Sequence, residues 1–213
     1  GGFALPGRMV ICLEPEIRLR GGISYSYLTF VLAHEATHLV QFQLTGLPPR
    51  GTSAAGRVPL EGPIWLLEGQ ADLIGYAVGY DTGPAAARIN AVQRYEGQAL
   101  PALARLQDRN ALRAHRADVY RVGMIAASLL VEDQGHEVVT SLFAAMGDGT
   151  PFPEAFEASY GESLTAFYDG FEERARRAAG PDALSSASES GTGGRRITAV
   201  FRTPPAFGAT PKP

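Results

Sequence analysis

The run Val31-Leu-Ala-His34-Glu35-Ala-Thr-His38-Leu-Val-Gln41 carries two imidazoles and a carboxylate at a spacing that chemistry can use. Positions four apart on a helix stack on one face, so His34 and His38 can close on a single metal ion. Glu35 then stands beside that ion, placed to act as a base on a bound water. The plainer alternative is a pair of core histidines that bracket an acid. Burial argues against it. Leu28, Val31, Leu32, Leu39, Val40 and Phe42 leave hardly a polar face except the one carrying the histidines, and so apolar a helix is expected to be buried. Imidazoles and a carboxylate in that setting need partners, which a metal and its water supply.

A second stretch, Pro63-Ile-Trp65-Leu-Leu-Glu68-Gly69-Gln70-Ala71-Asp72, offers what the first lacks. Catalytic zinc takes three protein ligands and keeps a fourth position open for water. Glu68 is the natural third ligand. Asp72, four residues on, faces the same way and can accept a hydrogen bond from the free ring nitrogen of a ligating histidine. Pro63 suits the first position of a helix and Gly79 its C-cap. Trp65 is expected to pack between the two metal helices rather than to line a subsite.

HEATH followed by WLLEGQAD resembles the gluzincin zinc metallopeptidases of the peptidase MA-like type, in which an HExxH helix is paired with a second helix supplying a glutamate, often within W-x-x-E-G-x-A. The resemblance runs from about residue 9 to about residue 177, and the two helices carry it. It implies one Zn2+ per chain held by His34, His38 and Glu68, with Glu35 as general base and Asp72 orienting the first histidine. Two departures matter. Twenty-nine residues separate His38 from Glu68, a longer gap than in thermolysin or the aminopeptidases, and the Gly-x-Met-Glu-Asn element that binds a free amino terminus is absent upstream. An endopeptidase is therefore expected rather than an aminopeptidase.

Peptide hydrolysis builds negative charge on the carbonyl oxygen, and a donor placed to meet it lowers the barrier. Tyr120, early in a long apolar segment, is the first candidate, and the Tyr-Arg-Val-Gly-Met context loosely resembles a tyrosine the family often carries there. A tyrosine packed on the core with its hydroxyl bonded elsewhere is the alternative reading. His115 is the second candidate.

These residues need elements to hold them. Residues 8–13 read as a strand that either packs or, as in the resembling enzymes, pairs with an extended substrate. Cys12 reads as a core residue of that strand. The first helix is expected to start near Ser24 or Ser26 and to end at Gly46, with a loop over residues 47–62. A third helix is expected from residue 83 to about residue 99, then an irregular turn over residues 100–106. Residues 117–132 should form a core helix ended by Gly135. Further helices are expected over residues 136–146, 152–160 and 164–177, the last with a charged outer face.

The whole reads as a mainly helical α+β domain over residues 1–179 with a small amino-terminal sheet. Residues 180–213, rich in Ser, Gly, Thr, Pro and Ala, read as a disordered tail or linker. With 213 residues, 45% of them hydrophobic, the chain can bury one good core. A net charge of −3 with scattered basic residues argues against a nucleic-acid partner. No apolar run reaches the length of a membrane span, and one cysteine allows no internal disulfide. The expected activity is zinc-dependent hydrolysis of a peptide or protein substrate. The alternative is a zinc-bearing domain of peptidase shape that binds peptides or partner proteins without cleaving them.

Overall fold

The computed structural model describes residues 2–11, 24–46 and 62–180. The expectations for Cys12, for most of the 47–62 loop and for the tail beyond residue 180 lie outside these residues. A hairpin of β1 (Gly2–Leu5) and β2 (Arg8–Ile11) comes first. Eight α-helices follow among the described residues: α1 (Tyr25–Leu44), α2 (Ile64–Tyr80), α3 (Pro84–Gln93), α4 (Arg109–Ala114), α5 (Arg116–Gln134), α6 (Glu137–Gly147), α7 (Phe152–Tyr160) and α8 (Leu164–Arg177). The expected class, mainly helical with a small amino-terminal sheet, is the one observed.

The hairpin is tighter than the sequence reading anticipated, because β1 was not foreseen. Pro6-Gly7 forms the two-residue turn, with Gly7 at a φ of 76°, as suits Pro and Gly at the centre of a type II turn. Leu5 pairs with Arg8 and Ala4 with Met9. Hydrogen-bonded and non-hydrogen-bonded pairs alternate along such a ladder. With Leu5 and Arg8 closing the turn, the Ala4 N–H therefore points away from β2.

Helix α1 begins where Ser24 caps it, the hydroxyl accepting from the Tyr27 N–H at 3.1 Å. Its burial reverses one expectation. Val31, His34, Glu35, His38 and Gln41 are its buried residues, whereas Leu32 and Val40 are exposed. The polar face turns inward because the imidazoles, the carboxylate and the amide find their partners on other elements of the fold.

Helix α2 has no side-chain cap at Pro63. Instead its first free N–H groups, on Ile64 and Trp65, donate to the carbonyls of Gln107 and Leu106 at 2.9 and 3.1 Å. It also runs past the expected stop at Gly79 to Tyr80, with Asp81 as its left-handed cap. Gly79 serves a different purpose: a Cβ there would lie 2.7 Å from the Phe30 Cβ, so the glycine lets α1 approach. On α2's contact with α5, a Cβ at Gly69 would lie 2.1 Å from the carbonyl carbon of Gly123, and one at Gly123 would lie 2.2 Å from the Trp65 oxygen. Two glycines thus let the backbones of α2 and α5 touch. Trp65 does not pack between the metal helices. It is fully buried against Phe152, Phe167 and Tyr168 of α7 and α8, and its Nε1 donates to the Tyr168 hydroxyl at 3.1 Å.

The rest closes the core. Helix α3 stops at Gln93, short of the expected residue 99, and the chain turns through Gly97 at a φ of 74°. A 3-10 turn at Leu103–Arg105 falls within the irregular stretch that was anticipated. Helix α4 was not, although Asp108 caps it by accepting from the N–H groups of Asn110 and Ala111. Helix α5 is the central one, buried from Val122 through Val131. The buried Arg88 guanidinium of α3 pairs with Glu132 and the Ala178 carbonyl, tying α3 to both α5 and the end of α8.

Gly69→Ala should therefore destabilise the protein, although alanine is the better helix former. The clash is with backbone, so the cost should reach the upper part of the roughly 1–3 kcal/mol range for overpacking. Gly170→Ala in α8 meets only the movable end of the Arg174 side chain and should be neutral or stabilising by up to about 1 kcal/mol. Urea melts should move to lower midpoint for Gly69→Ala and stay or rise for Gly170→Ala; equal shifts would rule out so close an α2–α5 crossing.

Candidate metal centre

Three helices and one strand build the site. Helix α1 presents His34, Glu35 and His38 on its inner face, and α2 presents Glu68 and Asp72 opposite them. The Nε2 atoms of His34 and His38 lie 3.1 Å apart. Glu68 Oε2 lies 3.5 Å from the first and 3.4 Å from the second. All three side chains are buried.

The outer ring nitrogens decide what that triangle can hold. Gln41, the next residue round the helix from His38, points its Oε1 at His38 Nδ1 at 2.7 Å. The amide cannot be turned over, because its Nε2 donates to the Leu67 carbonyl at 3.0 Å and to Gln70 Oε1 at 2.8 Å. An acceptor therefore faces His38 Nδ1, which must carry the proton. His34 Nδ1 is 2.9 Å from Asp72 Oδ1, a hydrogen-bond separation, although the angle at Nδ1 falls short of a well-formed bond. That tautomer too has its proton on the outside. In neutral imidazoles both Nε2 lone pairs then face each other and a carboxylate oxygen that accepts no hydrogen bond. Three buried acceptors converge on one point, an arrangement that is costly unless a cation occupies it.

Charge says the same. Burial opposes a charge on His34, but the carboxylates of Asp72 and Glu68 outweigh it and hold the imidazole's pKa at about 9. Burial likewise pushes the Glu68 carboxyl up, yet the two imidazoles prevail and hold it well below the usual carboxylate range. A single proton can serve one Nε2. A metal ion can serve all three atoms. Tetrahedral coordination at about 2.0–2.1 Å places neighbouring ligands roughly 3.3–3.4 Å apart, which the observed separations of 3.1, 3.4 and 3.5 Å approach. The buried His34, His38 and Glu68 group could hold a metal ion.

The neighbours are in place as well. Glu35 is buried and its carboxylate accepts the outward-facing N–H of Ala4 in β1. Burial raises its pKa, with the two histidines partly offsetting the rise. Asp72 is raised by burial too, with the His34 contact working against it. Tyr120, in the second turn of α5, stacks on the His34 ring with centroids 5.9 Å apart. Burial raises its phenol pKa, and the adjacent Glu68 carboxylate raises it further, so the hydroxyl stays protonated. The Arg116 guanidinium lies over the same ring, 5.5 Å from its centroid.

His34, Glu35, His38, Glu68, Asp72 and Tyr120 are thus brought together. His115 is not; it is exposed at the junction of α4 and α5 and takes no part in these contacts. The sequence reading overlooked Gln41 and Gln70. Gln41 stands three residues after His38 on a helix already expected to carry ligands, and that spacing is the available signal. Compared with protein-family models, with curated proteins and with solved structures, the chain matches none of them.

Titration with Zn2+ or Co2+ against a competing chelator should find about one site per chain. The His34→Ala, His38→Ala double variant should lose it. Asp72→Ala should bind about 10- to 100-fold more weakly while folding normally, as expected when the acceptor behind a ligating imidazole is removed. An affinity equal to wild type would detach Asp72 from the site.

Proposed function

We propose that this chain is a zinc-dependent peptidase of the gluzincin kind, acting as an endopeptidase. The observation that carries the reading is the convergence of His34 Nε2, His38 Nε2 and Glu68 Oε2 with Glu35 and Tyr120 beside them. Two imidazoles and a carboxylate are a donor set found for catalytic zinc. Bound there, zinc would polarise a substrate carbonyl and bring the pKa of a water down to about 7.

The remaining chemistry belongs to the chain. The Glu35 carboxylate takes a proton from the attacking water and passes it to the leaving amine nitrogen. The Ala4 N–H holds the carboxylate in place against α1. The Tyr120 hydroxyl, kept neutral by burial and by Glu68, donates to the oxygen on which charge develops as the carbonyl becomes tetrahedral. Asp72 keeps the His34 proton on Nδ1 and leaves Nε2 free.

Two substitutions separate binding from turnover. Glu35→Gln keeps the size of the side chain and removes the base, so zinc content should be unchanged while hydrolysis of a peptide library falls by about 10²-fold or more. Loss of zinc in this variant would mean that Glu35 is a ligand instead.

Tyr120→Phe removes one hydroxyl and should lower kcat by about 10²–10³-fold with KM nearly constant, the signature of a contact made in the transition state. Full turnover in Tyr120→Phe would assign the oxyanion to another donor. A wild-type chain that holds zinc and cleaves nothing in a broad peptide digest would be a peptide-binding domain.

A further inference from the structure

Helix α1 carries a buried amide that the chemistry above does not use. Gln41 is 1% exposed, and all of its polar capacity faces inward. Its Oε1 accepts from His38 Nδ1 at 2.7 Å, and its Nε2 donates to the Leu67 carbonyl at 3.0 Å and to Gln70 Oε1 at 2.8 Å. Leu67 is the residue before Glu68, so the amide spans from one ligand to the peptide group that leads into another. A helical carbonyl has a second lone pair, and it can take this donor without giving up its place in α2.

We propose that Gln41 is the positioning residue of the metal centre, fixing the tautomer of His38 so that its Nε2 is left free to face the metal. This rests on the metal reading of the site. The two histidines are secured differently: His34 leans on the Asp72 carboxylate, His38 on a neutral amide. Only an amide does what Gln41 does. A carboxylate could accept from His38 but could not donate to Leu67, and an aliphatic chain could do neither. Without an acceptor at Nδ1, the His38 proton is free to move to Nε2, which then cannot bind a metal.

Metal affinity and the visible spectrum of the Co2+-loaded chain test this without reference to catalysis. Gln41→Met fills a similar volume with only a weakly accepting thioether in place of the amide carbonyl. It should bind Zn2+ about 10- to 100-fold more weakly and shift the Co2+ bands, as loss of the partner behind a ligating imidazole does. Gln41→Glu restores the acceptor alone. Its Zn2+ affinity should stay within about threefold of wild type, with the lost donation to Leu67 appearing as a lower melting temperature only. Wild-type affinity and spectrum in Gln41→Met would overturn the proposal, as would a Gln41→Glu chain that binds as weakly as Gln41→Met, since both make Gln41 a bridge between helices and nothing more. Should Gln41→Met fail to fold, the affinity of Gln41→Glu decides between the same two outcomes. Wild-type chain that binds neither ion overturns the metal centre and this role together. Wild-type chain that binds zinc and cleaves no peptide removes the peptidase reading and leaves the role of Gln41 standing.

Discussion

Three buried acceptor atoms aimed at one another are the constraint on which the rest of this structure depends. With both imidazoles neutral, His34 Nε2, His38 Nε2 and Glu68 Oε2 would repel in an apolar interior. The fold nevertheless holds them within a triangle of metal-ligand size, with the protons of both imidazoles drawn outward by Asp72 and Gln41. Replacing water around such atoms with protein is favourable only where a cation compensates. The geometry is therefore informative in a way that three polar residues on a surface would not be.

Holding that triangle needs backbones closer than most side chains allow. Helix α2 carries Glu68 and lies between α1 and α5, and glycine lines its closest approach to each. Gly79 admits Phe30 of α1, and Gly69 meets Gly123 of α5 backbone to backbone. Because Gly69 directly follows Glu68, the tightest point of the α2–α5 crossing sits beside that carboxylate. The same crossing brings Tyr120 over His34. On its outer side α2 is anchored by Trp65, buried in an aromatic cluster with Phe152, Phe167 and Tyr168. Helix α2 is thus gripped by packing on one side and polar contacts on the other.

The electrostatics are deliberately uneven. Glu35, Glu68 and Asp72 put three carboxyl groups around two imidazoles. Where ion-pair contacts dominate, as at Glu68, the charged form is favoured; where burial dominates, as at Glu35 and Asp72, it is disfavoured. Glu68 and Glu35 are set apart here by their surroundings rather than by residue type. The hairpin works against that difference, since the Ala4 N–H, left free by the pairing of β1 with β2, favours the charged form of the Glu35 carboxylate.

Much of this was legible in the chain itself. The four-residue spacing of His34 and His38 is a helical period, and so is that of Glu68 and Asp72; local geometry alone puts each pair on one face. Apolar periodicity and capping residues such as Ser24 likewise marked most helices, because those signals act over a single turn. Where local signals were weak, the reading slipped. The strand at Gly2–Leu5 and the short α4 escaped notice, and α3 was drawn too long. Other features had no local signal at all. The inward turn of the polar face of α1, the removal of Trp65 to α7 and α8, and the placing of Tyr120 beside His34 while His115 stays exposed depend on which helices meet. Gly79 looked like a cap and proved to be a contact, because only a neighbouring helix can show why a side chain is missing. The sequence determined which residues could share a face; tertiary packing decided which faces meet, since that rests on contacts between residues far apart in the chain.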